Sequence, residues 1–268
     1  MHYLTDEEFN LIKDLIYKES GISFSNINRP ILESRIKERC RQKKIDLPKE
    51  YYQIVLKDTE ELKILLDSVT TNLTKFFRND TQFVALRENV IPELIKKKTD
   101  KKIKVWSAGC STGEEPYSIA MYFYEYIPNP QAWEFSIIAS DISLKSLLVA
   151  KTGFYSDERC ESIEKGFLGK FFDKVENGFQ IKDFLKTPIR FDYHNLKNDN
   201  GERNFDIIMC RNVIIYFDKK AQEELLNKFE TSLNNDGYLF LGHSESLFGM
   251  NTGFKFSKIG DAIIYRKS

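Results

Sequence analysis

The fold is decided by the stretch Val105-Trp106-Ser107-Ala108-Gly109-Cys110-Ser111-Thr112-Gly113-Glu114-Glu115-Pro116-Tyr117-Ser118-Ile119-Ala120-Met121. An apolar run leads into small residues, and Pro116 follows at the first turn of an amphipathic segment, where its missing N–H costs nothing. This pattern predicts a strand, a tight turn and a helix. Gly109 and Gly113 would let a flat ligand approach the backbone, and the helix N-terminus offers unpaired N–H groups. The stretch therefore indicates a nucleotide-type site.

The same turn is acidic, which argues against a phosphate ligand. Glu114 and Glu115 stand where a pyrophosphate would rest, and no Lys-Ser/Thr pair follows Gly113. Neither the dinucleotide fingerprint nor the Walker pattern is met. A cationic ligand with hydroxyl and amino groups, such as S-adenosylmethionine, suits this turn better. The alternative is an ordinary tight turn between a strand and a helix.

The composition indicates a globular protein. The chain has 268 residues, 41% of them hydrophobic and 30% charged, and its formal net charge is zero, which gives no reason to expect a nucleic-acid or membrane partner. Four cysteines without a CxxC pair and three histidines suggest neither a disulfide framework nor a metal site. No apolar run approaches a membrane span, and the N-terminus has no signal-peptide shape. These features predict a cytoplasmic protein. We also expect a monomer, which no feature of the composition decides.

The first 70 residues predict a small all-helical unit. Thr5 and Glu8 form a capping box ahead of a helix that should end near Ser20. A second helix should begin near Pro30, and two shorter ones should span 48–57 and 59–68. The inward face of the second helix is predicted to comprise Ile31, Leu32, Ile36 and Cys40.

The second helix also carries a basic face. Residues 29–49 include eight basic and three acidic side chains. Arg35 and Arg39 lie one helical turn apart and could together grip an acidic helical surface, with Arg41 beside them. The alternative is a solvated helix face.

The segment from Thr70 to Asp80 joins this unit to a long helix predicted over 81–98. It carries polar Asn72, Thr74 and Arg78 around the pair Phe76 and Phe77. The two aromatic rings would anchor the segment between domains. Arg78 would then be partly buried and would need a partner. The apolar side of the long helix is predicted to comprise Phe83, Val84, Leu86 and Ile91.

The remainder alternates strands and helices. A β-branched run ends at Asp141, where a doubly wound fold holds ribose hydroxyls, although Asp141 could also cap the next helix. Further strands are predicted at 189–193, leading into His194-Asn195-Leu196, and at 204–210, leading into Arg211 to Phe217. A helix from Asp218, a turn at 235–237 and strands at 238–242 and 262–266 complete the pattern.

Between residues 151 and 188 the alternation is interrupted. The Asn177-Gly178 turn between alternating apolar residues is a strong hairpin signal. We expect an inserted antiparallel hairpin that a third strand continues. Its edge could dock a peptide strand, or it could simply cap the sheet.

Taken together, these blocks resemble the CheR family of chemotaxis receptor methyltransferases, which are S-adenosylmethionine-dependent protein-glutamate O-methyltransferases. The similarity covers nearly the whole chain. It rests on the helical unit, the hairpin insert and the blocks Asn72-Leu73-Thr74-Lys75-Phe76-Phe77-Arg78, Ser107 to Met121, Ser140-Asp141-Ile142-Ser143, His194-Asn195-Leu196, Cys210 to Phe217, and Leu241-Gly242-His243-Ser244-Glu245-Ser246.

The resemblance implies an α/β, Rossmann-like methyltransferase domain with an inserted antiparallel β-subdomain, preceded by an all-α domain. It implies a receptor-contacting domain at 1–70, a linker and long helix at 71–98, and an S-adenosylmethionine-binding domain at 99–268 with the insert at about 151–188. The partner would be the acidic helical bundle of a methyl-accepting chemotaxis receptor, contacted by Arg35, Arg39 and Arg41. The insert is lean in Gly beside family members that bind a receptor's C-terminal pentapeptide, which departs from the family pattern there.

The resemblance also implies the site residues. Arg78 and Tyr216 match the two residues nearest the transferring methyl group. The family's cofactor contacts map onto Asn72, Thr74, Arg78, Glu115, Asp141, Asn195, Leu196, Arg211 and Asn212. We add Gly109 of the turn to this set. Glu114 could take the place of Glu115, because the sequence does not distinguish two adjacent acids.

Two rival functions use the same cofactor fold. A nucleic-acid methyltransferase is disfavoured because Arg-Asn-Val, and not Asn/Asp-Pro-Pro-aromatic, follows Cys210. A cofactor-binding adaptor without activity would form no base-labile methyl ester.

Overall fold

The computed structural model describes residues 2–70 and 72–267. The predicted domain ends at Met1 and Ser268, and the boundary residue Thr71, lie outside the described residues. Within them, the predicted α/β class with an all-α N-terminal domain and an antiparallel insert is confirmed.

The N-terminal unit consists of helices that pack around a core of their own. These are α1 (Asp6–Ser20), α2 (Arg29–Lys43), α3 (Pro48–Val55) and α4 (Thr59–Val69). The capping box is present, because Glu8 N–H donates to Thr5 Oγ1 and Thr5 N–H donates to Glu8 Oε2. Leu32, Ile36 and Cys40 are buried as predicted. Ile31 is 55% exposed, so its predicted inward position was wrong.

The long helix that follows is interrupted in the middle. It comprises α5 (Asp80–Ala85), a π-helical turn (Leu86–Val90) and α6 (Ile91–Lys97). Ile91 N–H reaches back five residues to the carbonyl of Leu86, just before Pro92, which has no N–H to continue the ladder. The phase of the helix shifts there, and Val84 faces outward, contrary to the prediction.

The domain that follows the long helix is built on a mixed seven-stranded sheet. Its strands are β1 (Lys102–Ala108), β2 (Glu134–Asp141), β6 (Ile189–Tyr193), β7 (Phe205–Cys210), β8 (Leu233–Leu241), β9 (Phe254–Ile259) and β10 (Ala262–Lys267). The spatial order is β6-β2-β1-β7-β8-β10-β9. The first five of these run parallel, and β10 pairs antiparallel with both neighbours. The strand order reverses at β1, where ligands bind in open α/β sheets.

Side chains that alternate along β1 enter two separate cores. Ile103 and Val105 join one cluster and Trp106 and Ala108 join the other. The sheet is covered by helices α7 (Glu114–Tyr126), α8 (Leu144–Thr152) and α12 (Lys219–Ser232).

The predicted insert is confirmed as a second, antiparallel sheet. Strands β3 (Phe154–Ser156), β4 (Phe172–Val175) and β5 (Gly178–Ile181) lie in the order β3-β5-β4, with Asn177 at positive φ in the turn. Short helices α9 (Asp157–Cys160), α10 (Lys165–Phe171) and α11 (Asp183–Lys186) surround it.

Two details at the C-terminus differ from the predictions. The turn predicted at 235–237 lies inside β8, where Asp236 has φ 63° and the pairing with β7 shifts register between Phe205 and Ile207. The turn residues therefore form a bulge within a continuous strand. Strand β9 was not predicted, because it is a largely exposed edge strand that pairs with β10 alone.

Candidate functional site

A cleft of about 1000 Å³, including its open mouth, lies at the carboxyl ends of the parallel strands. The segment after α4 and the end of α1 form its other walls. Every residue predicted to bind the cofactor or to be catalytic lines this cleft, namely Asn72, Thr74, Arg78, Gly109, Glu115, Asp141, Asn195, Leu196, Arg211, Asn212 and Tyr216. Their roles there remain predictions, but the structure does bring them together.

The turn after β1 forms the floor of the cleft. Gly109 N–H and Cys110 N–H both donate to the carbonyl of Ser140, at 2.8 and 3.0 Å. Gly109 has φ 84°, and a Cβ atom there would lie 2.5 Å from Cγ2 of Val213. Glycine is thus needed at this position both for its backbone conformation and for the close approach of the loop after β7.

Asp141 ends β2 at the edge of the same floor. Its Oδ2 accepts from Ser111 N–H at 2.7 Å and its Oδ1 from Ser143 N–H at 2.8 Å. Burial raises the pKa of the Asp141 carboxyl, and the two N–H donors oppose that rise. Ser143 is the N-cap of α8, so the alternative that Asp141 caps this helix was wrong. Asp141 holds the turn in place and faces the cleft.

The two adjacent glutamates point in different directions. Glu115 lines the cleft, where its Oε1 accepts from the Ser107 hydroxyl at 2.7 Å. The Glu114 side chain, 1% exposed, is paired instead with Arg159 of the insert. Neighbouring helical residues diverge by about 100°, so only one of the two can face a ligand. This leaves Glu115 as the carboxylate available to a cofactor.

Arg211 lies at the back of the cleft beside Glu115. Its side chain is 2% exposed, its Nη2 donates to the carbonyl of Arg78, and its guanidinium lies 5.4 Å from the centre of the Phe83 ring. The Nε and Nη1 groups have no hydrogen-bond partner among the described residues. Burial lowers the pKa of Arg211, nearby Arg78 adds to that effect, and Glu115 opposes it. Arg211 thus offers unused donors.

Arg78 is half-buried, as predicted, and its partner is a carbonyl. Nη1 donates to the carbonyl of Leu73 at 2.9 Å. Phe76, two residues earlier, is buried and anchors the segment. Tyr216 lies across the loop after β7, in a short 3-10 turn (Ile214–Tyr216), and packs partly against the core of the N-terminal unit. Arg78 and Tyr216 both line the cleft from different segments.

The cleft wall formed by α1 was not predicted. Ser20, Ile22 and Phe217 line the cleft, and an isolated bridge joins Ile22 to Phe217. Asn195 fixes this wall, because its Nδ2 donates to the carbonyl of Glu19 at 2.6 Å and its Oδ1 accepts from Lys197 N–H at 3.0 Å. The contacts of Asn195 with Glu19 and of Ile22 with Phe217 join residues that are far apart in the sequence, the first pair by 176 positions, so no local pattern could have revealed them.

The three arginines predicted to contact the partner differ in their surroundings. Arg39 is only 12% exposed and its Nη2 lies 2.6 and 2.8 Å from the two oxygens of buried Glu61, so the prediction that it projects from the helix was wrong. A buried carboxylate requires such a partner. Arg41 is exposed and pairs with Glu38. Arg35 is exposed, with no ion pair in the described part of the chain.

The residues present fit S-adenosylmethionine. Glu115 and Asp141 provide carboxylates for amino and hydroxyl groups, and the free donors of Arg211 suit a carboxylate. Asn212 Oδ1 is a buried acceptor without a partner among the described residues. The cleft therefore offers both hydrogen-bond acceptors and hydrogen-bond donors, which a zwitterionic ligand with a sugar requires.

Comparisons with known proteins give one family. The all-alpha domain of CheR methyltransferases matches residues 7–70, and their SAM-binding domain matches residues 72–263. A chemotaxis protein methyltransferase of Borreliella burgdorferi is 35% identical over 92% of this chain and 90% of its own length. One from Vibrio anguillarum is 33% identical over 98% of both chains. Chemotaxis protein methyltransferase 2 of Vibrio cholerae is 31% identical over 98% of this chain and 94% of its own.

Among the described helices, none is both long and apolar enough to cross a membrane.

Proposed function

This chain belongs to the CheR family of S-adenosylmethionine-dependent chemotaxis protein methyltransferases, and on that premise we propose that it methylates glutamate side chains on the cytoplasmic helical region of a methyl-accepting chemotaxis receptor. The products would be glutamate 5-O-methyl esters and S-adenosylhomocysteine. The observation that carries this proposal is the convergence of Arg78, Glu115, Asp141, Arg211 and Tyr216 on one cleft.

The residues would divide the binding of the cofactor between them. Asp141 would accept hydrogen bonds from ribose hydroxyls at the end of β2. Glu115 would pair with the amino group, and the free guanidinium donors of Arg211 would hold the carboxylate of the same amino-acid moiety. The side-chain amide of Asn195 already bonds to α1, so we propose that Asn195 and Leu196 contact the ligand through their backbone.

When bound, the cofactor supplies a methyl group on a positively charged sulfur. An acceptor glutamate has an unperturbed pKa of about 4.3 and is ionised at neutral pH, so the protein needs no general base. The chain's task is to align the carboxylate and to exclude water, which can lower the barrier by roughly 7–11 kcal/mol. A single hydrogen bond to an ionised group contributes about 1.5–3 kcal/mol. Orientation is the larger effect.

Arg78 and Tyr216 are the residues we propose for that alignment. Arg78 keeps donors free beyond its bond to Leu73, and these would hold the acceptor carboxylate or the cofactor's own. The Tyr216 hydroxyl would orient the same group by a hydrogen bond. Both side chains line the same cleft from two different segments, which supports these roles.

We further propose that residues 1–70 contact the receptor, that 71–98 connect the two domains, and that 99–268 bind the methyl donor. The exposed basic face of α2, through Arg35 and Arg41, would meet the acidic receptor bundle. Because the proposed acceptor region of the receptor is cytoplasmic, we propose that the protein acts in the cytoplasm.

The test mixes the purified protein with receptor-containing membranes and S-adenosylmethionine labelled in its methyl group. We expect label in the receptor that base treatment releases as methanol. A receptor whose candidate glutamates are changed to alanine serves as the control and should take up no label. Cofactor binding without any base-labile product would contradict the proposal and favour an adaptor.

A further inference from the structure

The insert touches the turn that forms the floor of the cleft. Arg159, on the short helix α9, donates through Nη2 to Thr112 Oγ1 at 2.5 Å and to the carboxylate of Glu114. Tyr155, on β3, donates its hydroxyl to the carbonyl of Thr112 at 2.7 Å. The insert therefore bonds both to the backbone and to the side chains of the turn.

Glu114 is the centre of this contact. Its side chain is 1% exposed, and its Oε2 accepts from the Thr112 hydroxyl at 2.8 Å. Burial raises the pKa of the Glu114 carboxyl, whereas Arg159 opposes that rise. A buried carboxylate depends strongly on its ionic partner, so Arg159 fixes where Glu114 can lie. Glu114 opens α7 and directly precedes Glu115, which faces the cleft.

The packing leaves this turn little room to move. Gly113 has φ 96°, and a Cβ atom there would lie 2.8 Å from Cβ of Ala150 and 2.9 Å from the Tyr155 hydroxyl. A shift of the turn would thus break the contacts with the insert.

A second contact runs from the insert to the segment that carries Arg78, which also lines the cleft. The ring of Phe76 packs edge-on against Tyr155, with centroids 4.8 Å apart, and against Phe172, with centroids 5.6 Å apart. Phe76 precedes Arg78 by two residues. The insert therefore holds both the turn that carries Glu115 and the segment that carries Arg78.

From these contacts we propose that Arg159 is a positioning residue for methyl-donor binding, which acts through Glu114 and Thr112 on the orientation of Glu115. The identity of the ligand rests on the proposed function. The insert then has a role in donor affinity that is separate from any contact it makes with a receptor.

The experiment measures binding of S-adenosylhomocysteine by calorimetry to the full chain and to Arg159→Met, Glu114→Gln and the double variant. Each single variant should weaken binding about tenfold, and the double variant should also weaken it about tenfold, because the two residues act as one unit. Lys174→Met is the matched control: Lys174 is an exposed cation of the same insert, paired with Asp157, and its loss should leave binding unchanged. The KM for the receptor should stay within about twofold of the wild-type value in all variants.

Thr112→Val serves as the second variant if Arg159→Met does not fold, since it removes the hydroxyl that both Arg159 and Glu114 contact. It should weaken donor binding with the receptor KM unchanged. Donor affinity within about twofold of wild type in the folded variants, or losses that multiply in the double variant, would overturn the inference. Wild-type protein that binds no S-adenosylhomocysteine would instead refute the proposed function.

Discussion

Glu115 and Arg211 face each other at the back of the cleft, with Oε2 of the carboxylate 3.5 Å from Nε of the guanidinium. Both side chains are almost fully enclosed, and that separation leaves Nε without a hydrogen bond. The pair neutralises its charge without using its full hydrogen-bonding capacity. In the proposed function, the pair would bind a zwitterionic ligand by exchanging partners, with the ligand's ammonium on Glu115 and its carboxylate on Arg211.

Glu115→Gln should weaken S-adenosylhomocysteine binding by about tenfold or more, because it removes a charge-assisted hydrogen bond and leaves Arg211 without a counter-ion. Calorimetry at neutral pH measures the change. Glu134→Gln provides a control, since Glu134 is an exposed carboxylate at the far end of β2. Unchanged affinity in Glu115→Gln would remove this residue from the donor site.

Donor binding should weaken as the pH falls, and at a higher pH than for ordinary carboxylates. Burial raises the pKa of both Glu115 and Asp141, so each takes up a proton above its usual range and the cleft loses negative charge. The stability of the unliganded protein responds in the opposite sense, because a carboxyl group with a raised folded pKa contributes stability at low pH that is lost as pH rises through that pKa. Calorimetry at a series of pH values from neutral downward, on wild type and Glu115→Gln, tests the predicted change in donor binding, with a shallower dependence expected in the variant. Identical pH profiles would contradict it.

Arg78→Ala should lower kcat by about a hundredfold while the melting temperature changes little, because its guanidinium bonds only to the Leu73 carbonyl among the described residues. If only the positive charge matters, Arg78→Lys should recover part of the rate that Arg78→Ala loses. If two parallel hydrogen bonds from the planar guanidinium are required, Arg78→Lys should recover little of it. Methyl transfer to receptor membranes and a thermal melt are measured side by side. Full turnover in Arg78→Ala would exclude it from the mechanism.

The elements around the cleft could be predicted because their signals are local. The strand, turn and helix from Val105 to Met121, the acid at the end of β2 and the Asn177-Gly178 hairpin all follow from spacing within a few residues. The bulge in β8 shows the limit of such signals. Asn235-Asp236-Gly237 is a sequence typical of turns, but here it lies inside a strand that pairs with β7 on both sides of the bulge.

Contacts between distant segments could not be predicted. Arg39 looked like a free cation on a basic face, but it pairs with buried Glu61. Glu61 also pairs with Lys43 and accepts a hydrogen bond from the Tyr51 hydroxyl. The pairing of Glu114 with Arg159, forty-five positions away, left Glu115 as the one of these two glutamates that lines the cleft. A sequence gives the residue types of such clusters, but the packing of whole elements decides which side chains remain available.

Arg35→Glu should raise the KM for the receptor about fivefold to tenfold and leave S-adenosylhomocysteine affinity unchanged. Arg35 is an exposed cation on α2 without an ion pair among the described residues, so its charge is available to an acidic bundle. The KM should also rise with salt in the wild-type protein and less steeply in the variant. Lys151→Glu, an exposed charge on α8, is the control. Equal salt dependence in both variants would show that this face of α2 does not meet the receptor.

Glu245 organises the loop that carries the cleft residues after β7, although no prediction gave it a role. Its Oε2 accepts from Gly242 N–H at 2.5 Å and from Asn212 N–H at 2.9 Å, and its Oε1 accepts from Ile215 N–H at 3.3 Å. Asn212 has φ 59°, a conformation that an asparagine adopts readily when its backbone is held.

Glu245→Gln replaces one acceptor oxygen with a donor, so an N–H of this loop loses its partner at a cost of about 1–3 kcal/mol. We expect a lower melting temperature and a fall in kcat/KM of about tenfold or more, because Arg211 and Tyr216 lie on the loosened loop. Ser244→Ala, an exposed neighbour in the same loop, should change neither. A variant that melts earlier but keeps the wild-type kcat/KM would show that Glu245 stabilises the fold without positioning the site.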